Sequence, residues 1–252
     1  MVSRRIDILE RKDKILRITI DQYISTVTPV SSARITKECF LDLSSATVRN
    51  ILAELEEEGY LTHPHTSAGR VPTQLGYRYY VDNFVNEIQL LEAEKMHIKE
   101  EYARETFEME TLLERTSTVL ANMTCYTSIV SVDGWDHKLF CGGTSFIMGY
   151  PDYQDVSRDV QRIKNILAAL DEKEKLLEVI NRDLAKKIDI LIGREMECSD
   201  IDGCSLVVSK YKSKQGPSGR IAILGPTRMD YNRVVSTLDY FSGLVEELLV
   251  GA

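Results

Sequence analysis

Two groups of side chains in the first 80 residues have the types and spacing for recognition chemistry. The first lies in LSSATVRNILAELEEEGYL, from Leu43 to Leu61, where Val48, Ile51, Leu52 and Leu55 recur at i, i+3, i+4 and i+7 and so make one apolar helical stripe. At about 100° per residue, Ala46, Asn50 and Ala53 fall opposite that stripe, with Thr47 and Arg49 on its flanks. The remaining face is small, flat and polar. Arg and Asn make bidentate contacts with base edges or reach phosphates, and alanine lets the backbone come close, so the face suits a major groove. Ser44 or Ser45 is the expected N-cap, and Gly59 the expected stop. Ser44, Ser45, Thr47, Arg49 and Asn50 are the candidate contacts of this group.

The second group follows at once. Thr62 to Thr73 is a polar segment whose Pro64, Ser67 and Gly69 break any helix and whose length suits a small hairpin. Its single cation is Arg70, and an Arg at a hairpin tip can enter a minor groove or meet a phosphate. Thr73 is placed to cap the next helix, which presents Tyr77, Arg78 and Tyr80. His65, Thr66, Ser67, Gly69, Arg70, Thr73, Tyr77 and Arg78 are the candidates for backbone or minor-groove contact.

The elements that must position these groups are also legible. Leu9, Leu16, Ile20, Tyr23, Ile24 and Val27 follow helical spacing from about Asp7 to Thr26, and Thr28-Pro29-Val30-Ser31 separates them from a second helix, about Ser32 to Cys39. Three helices and a hairpin make a winged helix-turn-helix; the alternative on pattern alone is a three-helix bundle without a ligand.

Composition bounds the remainder. The 252 residues suffice for two domains, or for one domain and a long helical linker. A net charge of -8 argues by itself against nucleic acid, but residues 1–80 carry 11 Lys+Arg against 10 Asp+Glu, leaving the acid excess to the rest of the chain. Only a local face of the first domain is therefore basic. Cys39, Cys125, Cys141, Cys198 and Cys204 are scattered without CxxC spacing, which fits reduced thiols in a cytoplasm. The N-terminus has no uninterrupted apolar run of the signal-peptide kind, and no apolar run approaches the ~20 residues of a membrane span.

Gln74 to Met123 reads as nearly continuous helix, with Val81, Phe84, Val85, Ile88 and Leu91 as its apolar stripe. Such a helix needs a packing partner, either its copy in a dimer or its own domain. After Cys125 the period changes. Tyr126 to Val132 is a β-branched strand, Asp133-Gly134 a turn, and Leu139 to Thr144 a short strand or loop. A helix from Ser157 to Leu170 should bury Val160, Ile163 and Leu167. Asp171 with Glu174 resembles a capping box for another helix, with Leu176, Leu177, Ile180 and Leu184 buried. Ile188 to Ile192 is a strand, Cys204 to Lys212 and Arg220 to Leu224 a hairpin, and Asn232 to Leu249 a final amphipathic helix, capped by Thr227 with Asp230 at its third position. The mixture indicates an α+β domain.

Other constellations are weak. His63 and His65 lie two apart, but no third ligand of the right kind is nearby, so no metal is expected. Cys141 near His137 lacks an orienting acid. Gly142-Gly143-Thr144-Ser145 is a lone double glycine, and Arg228 beside a helix start could hold an anion but reads more simply as part of a turn. Glu54, Glu56, Glu57 and Glu58 crowd the end of the Leu43–Gly59 helix, where they are expected to face solvent or to leave only its first half for DNA. No catalytic constellation supports an enzyme.

PHTSAGRVPT followed by GYRYYVD, preceded by LSSATVRN and LEEEGYL, closely resembles the N-terminal domain of the HrcA heat-shock repressors. LLERTSTVLANMTCYTS at 112–128, LFCGGTSFIMGYPDYQD at 139–155 and GRIAILGPTRMDYNRVVSTLDY at 219–240 extend the resemblance in order. It implies a DNA-binding homodimer on an inverted-repeat operator upstream of chaperonin and chaperone genes, release on heat shock, and a chaperonin of the GroEL type as partner. It also implies a GAF-like fold for the second half, and thus three regions: a winged helix-turn-helix over 1–80, a helical linker over 81–123 and a GAF-like domain over 124–252. Family members carry a long segment with a dimerisation domain between the CYTS-like strand and the GGTS-like motif, whereas here only Ile129 to Lys138 lies between them. The alternative function is a regulator whose GAF-like domain senses a small molecule, although no convergent polar pocket is visible in the sequence. No cofactor is expected.

Overall fold

The computed structural model describes residues 2–38, 43–64, 68–86, 90–102, 108–135, 138–150, 156–182, 186–213 and 217–249. These divide into two compact units, Met1–Val85 and Asn86–Ala252.

The first unit is built from α1 (Val2–Thr26), α2 (Ser32–Glu38), α3 (Ser45–Glu57), a two-stranded hairpin of β1 (Leu61–Thr62) and β2 (Val71–Pro72), and α4 (Gln74–Phe84). Its core keeps the expected α3 stripe and Leu16, Ile20 and Tyr23 of the expected α1 stripe, but adds Ile15 and buries Tyr77 and Tyr80, which were expected to be presented by α4, while Ile24 and Val27 are only half-buried. Ile15, Leu16, Ile20 and Tyr23 of α1, Val30 and Ile35 around α2, and Val48, Leu52 and Leu55 of α3 are buried together with Leu61, Tyr77 and Tyr80. Pro29 and its neighbours interrupt the helical pattern between α1 and α2, and Gly59, at φ 82°, takes the left-handed conformation that ends α3. Two buried-side tyrosines lock α4 onto α1: the Tyr79 hydroxyl donates to Asp13 at 2.8 Å and that of Tyr80 to Asp21 at 2.6 Å. Burial and the adjacent Asp13 carboxylate push the Tyr79 phenol up to about 12.

The second unit holds α5 (Glu92–Tyr102), α6 (Met109–Thr124), β3 (Thr127–Val132), β4 (Leu139–Gly142), α7 (Val156–Asp171), α8 (Lys173–Ile180), β5 (Ile188–Ile192), β6 (Cys204–Lys212), β7 (Ser218–Pro226) and α9 (Tyr231–Leu248). The strands form an antiparallel sheet in the order β4-β3-β7-β6-β5. One face carries α6 and α9. The other buries Ile129, Leu206, Val208, Ala222 and Leu224 against Ile166, Leu170, Leu176, Val179 and Ile180 of α7 and α8. Covering both faces explains why β3 is buried along its whole length. This is the expected α+β class, with helices and antiparallel strands in the order read from the sequence.

Four expectations change. The continuous Gln74–Met123 helix is broken: α4 ends in the first unit at Phe84, while α5 and α6 belong to the second. No Pro or Gly causes the break. Ile98 and Tyr102 of α5 are buried, the Tyr102 hydroxyl donates to Thr116 of α6 at 3.1 Å, and Arg115 pairs with Glu101 at 3.0 Å, so α5 folds back on α6. Tertiary burial overrides helix propensity. In α7 the inward residues are Asp159, Ile163, Ile166 and Leu170, whereas Val160 and Leu167 are 47% and 40% exposed. The helix is turned by one residue from the expected stripe. The Asp171/Glu174 capping box does not form; Glu172 occupies the N-cap of α8 without a side-chain bond and pairs instead with Lys175 at 2.6 Å. Finally, α9 is capped by Asp230, which accepts from the Arg233 N–H at 3.1 Å, so Asp230 rather than Thr227 is the cap. Leu176 and Ile180 are buried as expected, and Leu184 lies outside the described residues.

Tyr150 ties the loop after β4 to the sheet. Its hydroxyl accepts from the Thr127 N–H at 2.8 Å and donates to the Leu224 carbonyl at 2.5 Å, and burial raises its phenol. Tyr150→Phe strands the buried Thr127 N–H and should destabilise the chain by about 1–3 kcal/mol. A lower urea midpoint at unchanged slope is the expected result, and an unchanged midpoint contradicts the assignment.

Candidate nucleic-acid interface

The chemistry-bearing face begins at the first turn of α3. Ser44 is the N-cap: its hydroxyl accepts from the Thr47 N–H at 3.1 Å and lies 2.9 Å from the Thr47 hydroxyl. The cap fixes where the exposed face starts. Val48, Ile51, Leu52 and Leu55 are buried, which turns Ala46, Arg49 and Asn50 to solvent with Thr47 at their edge. Ser45 is half-buried, and its hydroxyl lies 3.4 Å from that of Ser32, joining the start of α3 to the start of α2.

The hairpin base is held against this helix by Arg70. Val30 and Arg70 exchange backbone hydrogen bonds at 2.9 and 2.8 Å, forming a bridge outside the hairpin proper. The Arg70 guanidinium pairs with Glu56 of α3 at 2.7 Å, and the same carboxylate bonds the His63 ring. Arg70 is therefore a half-buried residue at the root of the wing, not a cation at its tip. Gly69 permits the bridge because a Cβ there would stand 2.5 Å from the Val30 carbonyl carbon. Val30, Ser31, Ser32, Arg49, Leu52, Ala68, Gly69 and Arg70 line a cleft of about 390 Å³.

Other candidates have internal duties. The Thr73 hydroxyl caps α4 by accepting from Gly76 N–H at 3.1 Å and donates to the Gly59 carbonyl at 2.6 Å. Tyr77 is 3% exposed and belongs to the core, so its ring is withdrawn from any ligand. Arg78 is partly exposed and pairs with Asp82 at 3.3 Å. His65, Thr66 and Ser67 lie outside the described residues. The structure thus brings Ser44, Ser45, Thr47, Arg49, Asn50, Gly69 and Arg70 together around α3, and sets Thr73 and Tyr77 to structural work.

The acidic run at the end of α3 does not simply face solvent. Lys12 of α1 lies 2.7 Å from Glu54 and 2.7 Å from Glu58, while Glu56 holds the wing. Bonds to Glu54 and then Glu58 raise the Lys12 pKa. Because the folded value is the higher one, this contribution is present below the ordinary lysine value and fades as pH climbs through the raised value. Glu56 is the residue that sequence reasoning missed. Its partners come from a hairpin that folds back on the helix, and no local spacing signals that pairing.

In the second unit, Arg228 donates to the Gly149 and Tyr150 carbonyls at 3.0 and 3.4 Å, which answers its candidacy for an anion. Gly142 packs so closely on α6 that a Cβ would stand 2.3 Å from the Ser117 oxygen, so the double glycine serves packing. The surroundings of Cys141 push its thiol pKa up, opposite to an activated nucleophile, and His137 lies outside the described residues. A cleft of about 630 Å³ opens beside Trp135, Leu177, Asn181 and Arg220, where Arg220 bonds Asp133 and Asn181 at 3.0 Å each. No described helix is long and apolar enough to cross a membrane.

With this geometry in place, comparison with known proteins shows what the chain is similar to. Residues 134–235 match the family model described as HrcA protein C terminal domain. The heat-inducible transcription repressor HrcA of Carboxydothermus hydrogenoformans is 28% identical over 338 aligned positions, which take in 95% of this chain and 98% of that protein. The chain is similar to the HrcA repressors over nearly its whole length. The relative of the same name from Geobacter sulfurreducens is 29% identical over 339 positions, covering 97% of this chain and 99% of that one. The first alignment exceeds the 252 residues of this chain by 86 positions, so that relative carries sequence that this chain lacks. A crystal structure of a hypothetical protein superposes with a TM-score of 0.71 at 20% identity, over 96% of this chain and 98% of that one, and supports the fold.

The tightness of the Gly69 approach is directly testable. Gly69→Ala should open the Val30/Arg70 bridge at a cost of about 1–3 kcal/mol. Hydrogen exchange at the Val30 and Arg70 amides should accelerate accordingly, and wild-type protection in the variant would refute the close-approach role.

Proposed function

We infer that this chain is a transcriptional repressor of heat-shock genes, which binds an inverted-repeat operator as a homodimer and releases it on heat stress. The observation that carries the reading is the exposed Ala46-Arg49-Asn50 face of α3, set opposite a fully buried stripe and beside a wing root that contributes a second arginine. Asn50 and Thr47 present hydrogen-bonding groups to base edges, Ala46 allows close approach, and Arg49 spans base edge and phosphate. Ser44, Ser45, Gly69 and Arg70 flank the same region for backbone contact, and Arg78 on α4 is assigned a further backbone contact.

In a two-fold dimer, two copies of α3 enter successive major grooves one helical turn apart, or a multiple of one. The operator lies upstream of chaperonin and chaperone genes, and the repressor works in the cytoplasm with a chaperonin of the GroEL type as its partner. These details rest on the family resemblance.

Arg49→Ala should lose the preference for operator over scrambled DNA, by about 1–3 kcal/mol. Arg78→Ala should instead weaken all duplexes about equally and flatten the dependence of log affinity on log salt by roughly one unit. Retention of full discrimination by Arg49→Ala sinks the base-contact assignment.

A further inference from the structure

We propose that Glu56 is an internal counter-ion that competes with DNA phosphate for Arg70, and thereby sets how tightly the winged helix-turn-helix grips any duplex. The proposal rests on the DNA-binding reading above and adds to it an acidic residue whose removal strengthens binding. Three observations converge on it. One carboxylate oxygen of Glu56 lies 2.7 Å from the Arg70 guanidinium, and the other bonds the His63 ring, so a single acid engages both cationic-capable side chains of the described wing. Arg70 and Arg49 line the same cleft with Ser31 and Ser32, a concave polar site of about 390 Å³. That cleft has the donors and the size for a phosphate group of a nucleic-acid backbone.

The ion pair also explains a discrepancy in charge. With 11 cations against 10 acids in residues 1–80, a DNA-binding unit has little overall attraction to spare. Three of these 11 cations are held in pairs within the chain: Lys12 by Glu54 and Glu58, Arg78 by Asp82, and Arg70 by Glu56. The Glu56 pair differs from the others in its position, because its arginine borders the cleft beside the α3 face. A phosphate entering the cleft must draw Arg70 partly from Glu56, and it approaches against the Glu56 charge within a Debye length. Binding to bulk DNA is thus held down, while base contacts by α3 are untouched.

The test measures affinity of the full chain for an inverted repeat from upstream of chaperone genes and for a random-sequence duplex across a salt series. Glu56→Gln removes the charge and keeps the size. It should tighten both duplexes about five- to tenfold and steepen the log-log salt slope by about 0.9, one additional phosphate, leaving the ratio between them unchanged. Glu57→Gln, an exposed acid on the same turn, controls for general charge and should change either affinity by less than about twofold. In an Arg70→Ala background, Glu56→Gln should lose most of its gain, because its beneficiary is absent.

Several results overturn the proposal: unchanged or weaker binding by a Glu56→Gln variant with wild-type melting, an equal gain from Glu57→Gln, or a gain that survives Arg70→Ala. If Glu56→Gln melts early, Glu56→Asp decides. It retracts the carboxylate by one methylene and should give a smaller gain with a correspondingly smaller steepening of slope; no gain overturns the idea. Should the wild-type chain bind neither duplex, the DNA-binding reading fails instead, which is a distinguishable outcome.

Discussion

The first unit depends on one junction, the Val30–Arg70 bridge with the Glu56 ion pair behind it. Two backbone hydrogen bonds of 2.9 and 2.8 Å bring the root of the wing to the turn between α1 and α2. The 2.7 Å contact of Arg70 with Glu56 brings the same root to α3. β1 and β2 pair over only two residues each, so the hairpin relies on such contacts with the rest of the unit. The junction demands a glycine at position 69, and Arg49 and Arg70 border one cleft beside it. The recognition face is in this sense made by its supports: a cap at Ser44, a buried stripe beneath, and a wing fastened from the side.

The second unit solves a different constraint. HrcA relatives align over many more positions than this chain possesses, and the resemblance places the shortening in the connection after β3. Here β3 and β4 pair directly, from Ser128↔Gly142 to Ser131↔Leu139. The turn is fastened by the Asp133 N–H donating to the Ser218 carbonyl at 2.8 Å, by the Ser218 hydroxyl donating to Asp133 at 2.6 Å, and by Arg220 pairing with Asp133 at 3.0 Å. Both faces of the sheet are covered by helices of the same unit, so its core does not wait on an inserted segment.

What was legible in the sequence follows from how local the physics is. The α3 stripe, the Ser44 cap, the Gly59 stop and the Thr73 cap depend on neighbours a few residues away, and all are found as read. The strands after Cys125 were signalled by β-branched alternation. The break between α4 and α5 was not, because neither Pro nor Gly marks it; it arises when Ile98 and Tyr102 find a core on α6. The rotation of α7 by one residue reflects two candidate stripes sharing Ile163, between which only packing chooses. Tyr77 and Thr73 belong to a motif that reads as DNA-facing, yet the motif also encodes the fold, and those two residues serve that second purpose. Glu56 was invisible for the complementary reason: its partners come from the hairpin, and spacing along one helix says nothing about them.

The central claim, a paired reader of an inverted repeat, is tested most directly by titrating the full chain against an intact inverted-repeat operator, a single half-site and a scrambled duplex at one fixed salt, with its mass in solution measured in parallel. The account predicts a dimeric mass, tight binding to the intact operator, and a half-site bound much more weakly but still above the scrambled duplex. A monomer that binds the half-site no better than scrambled DNA would contradict it.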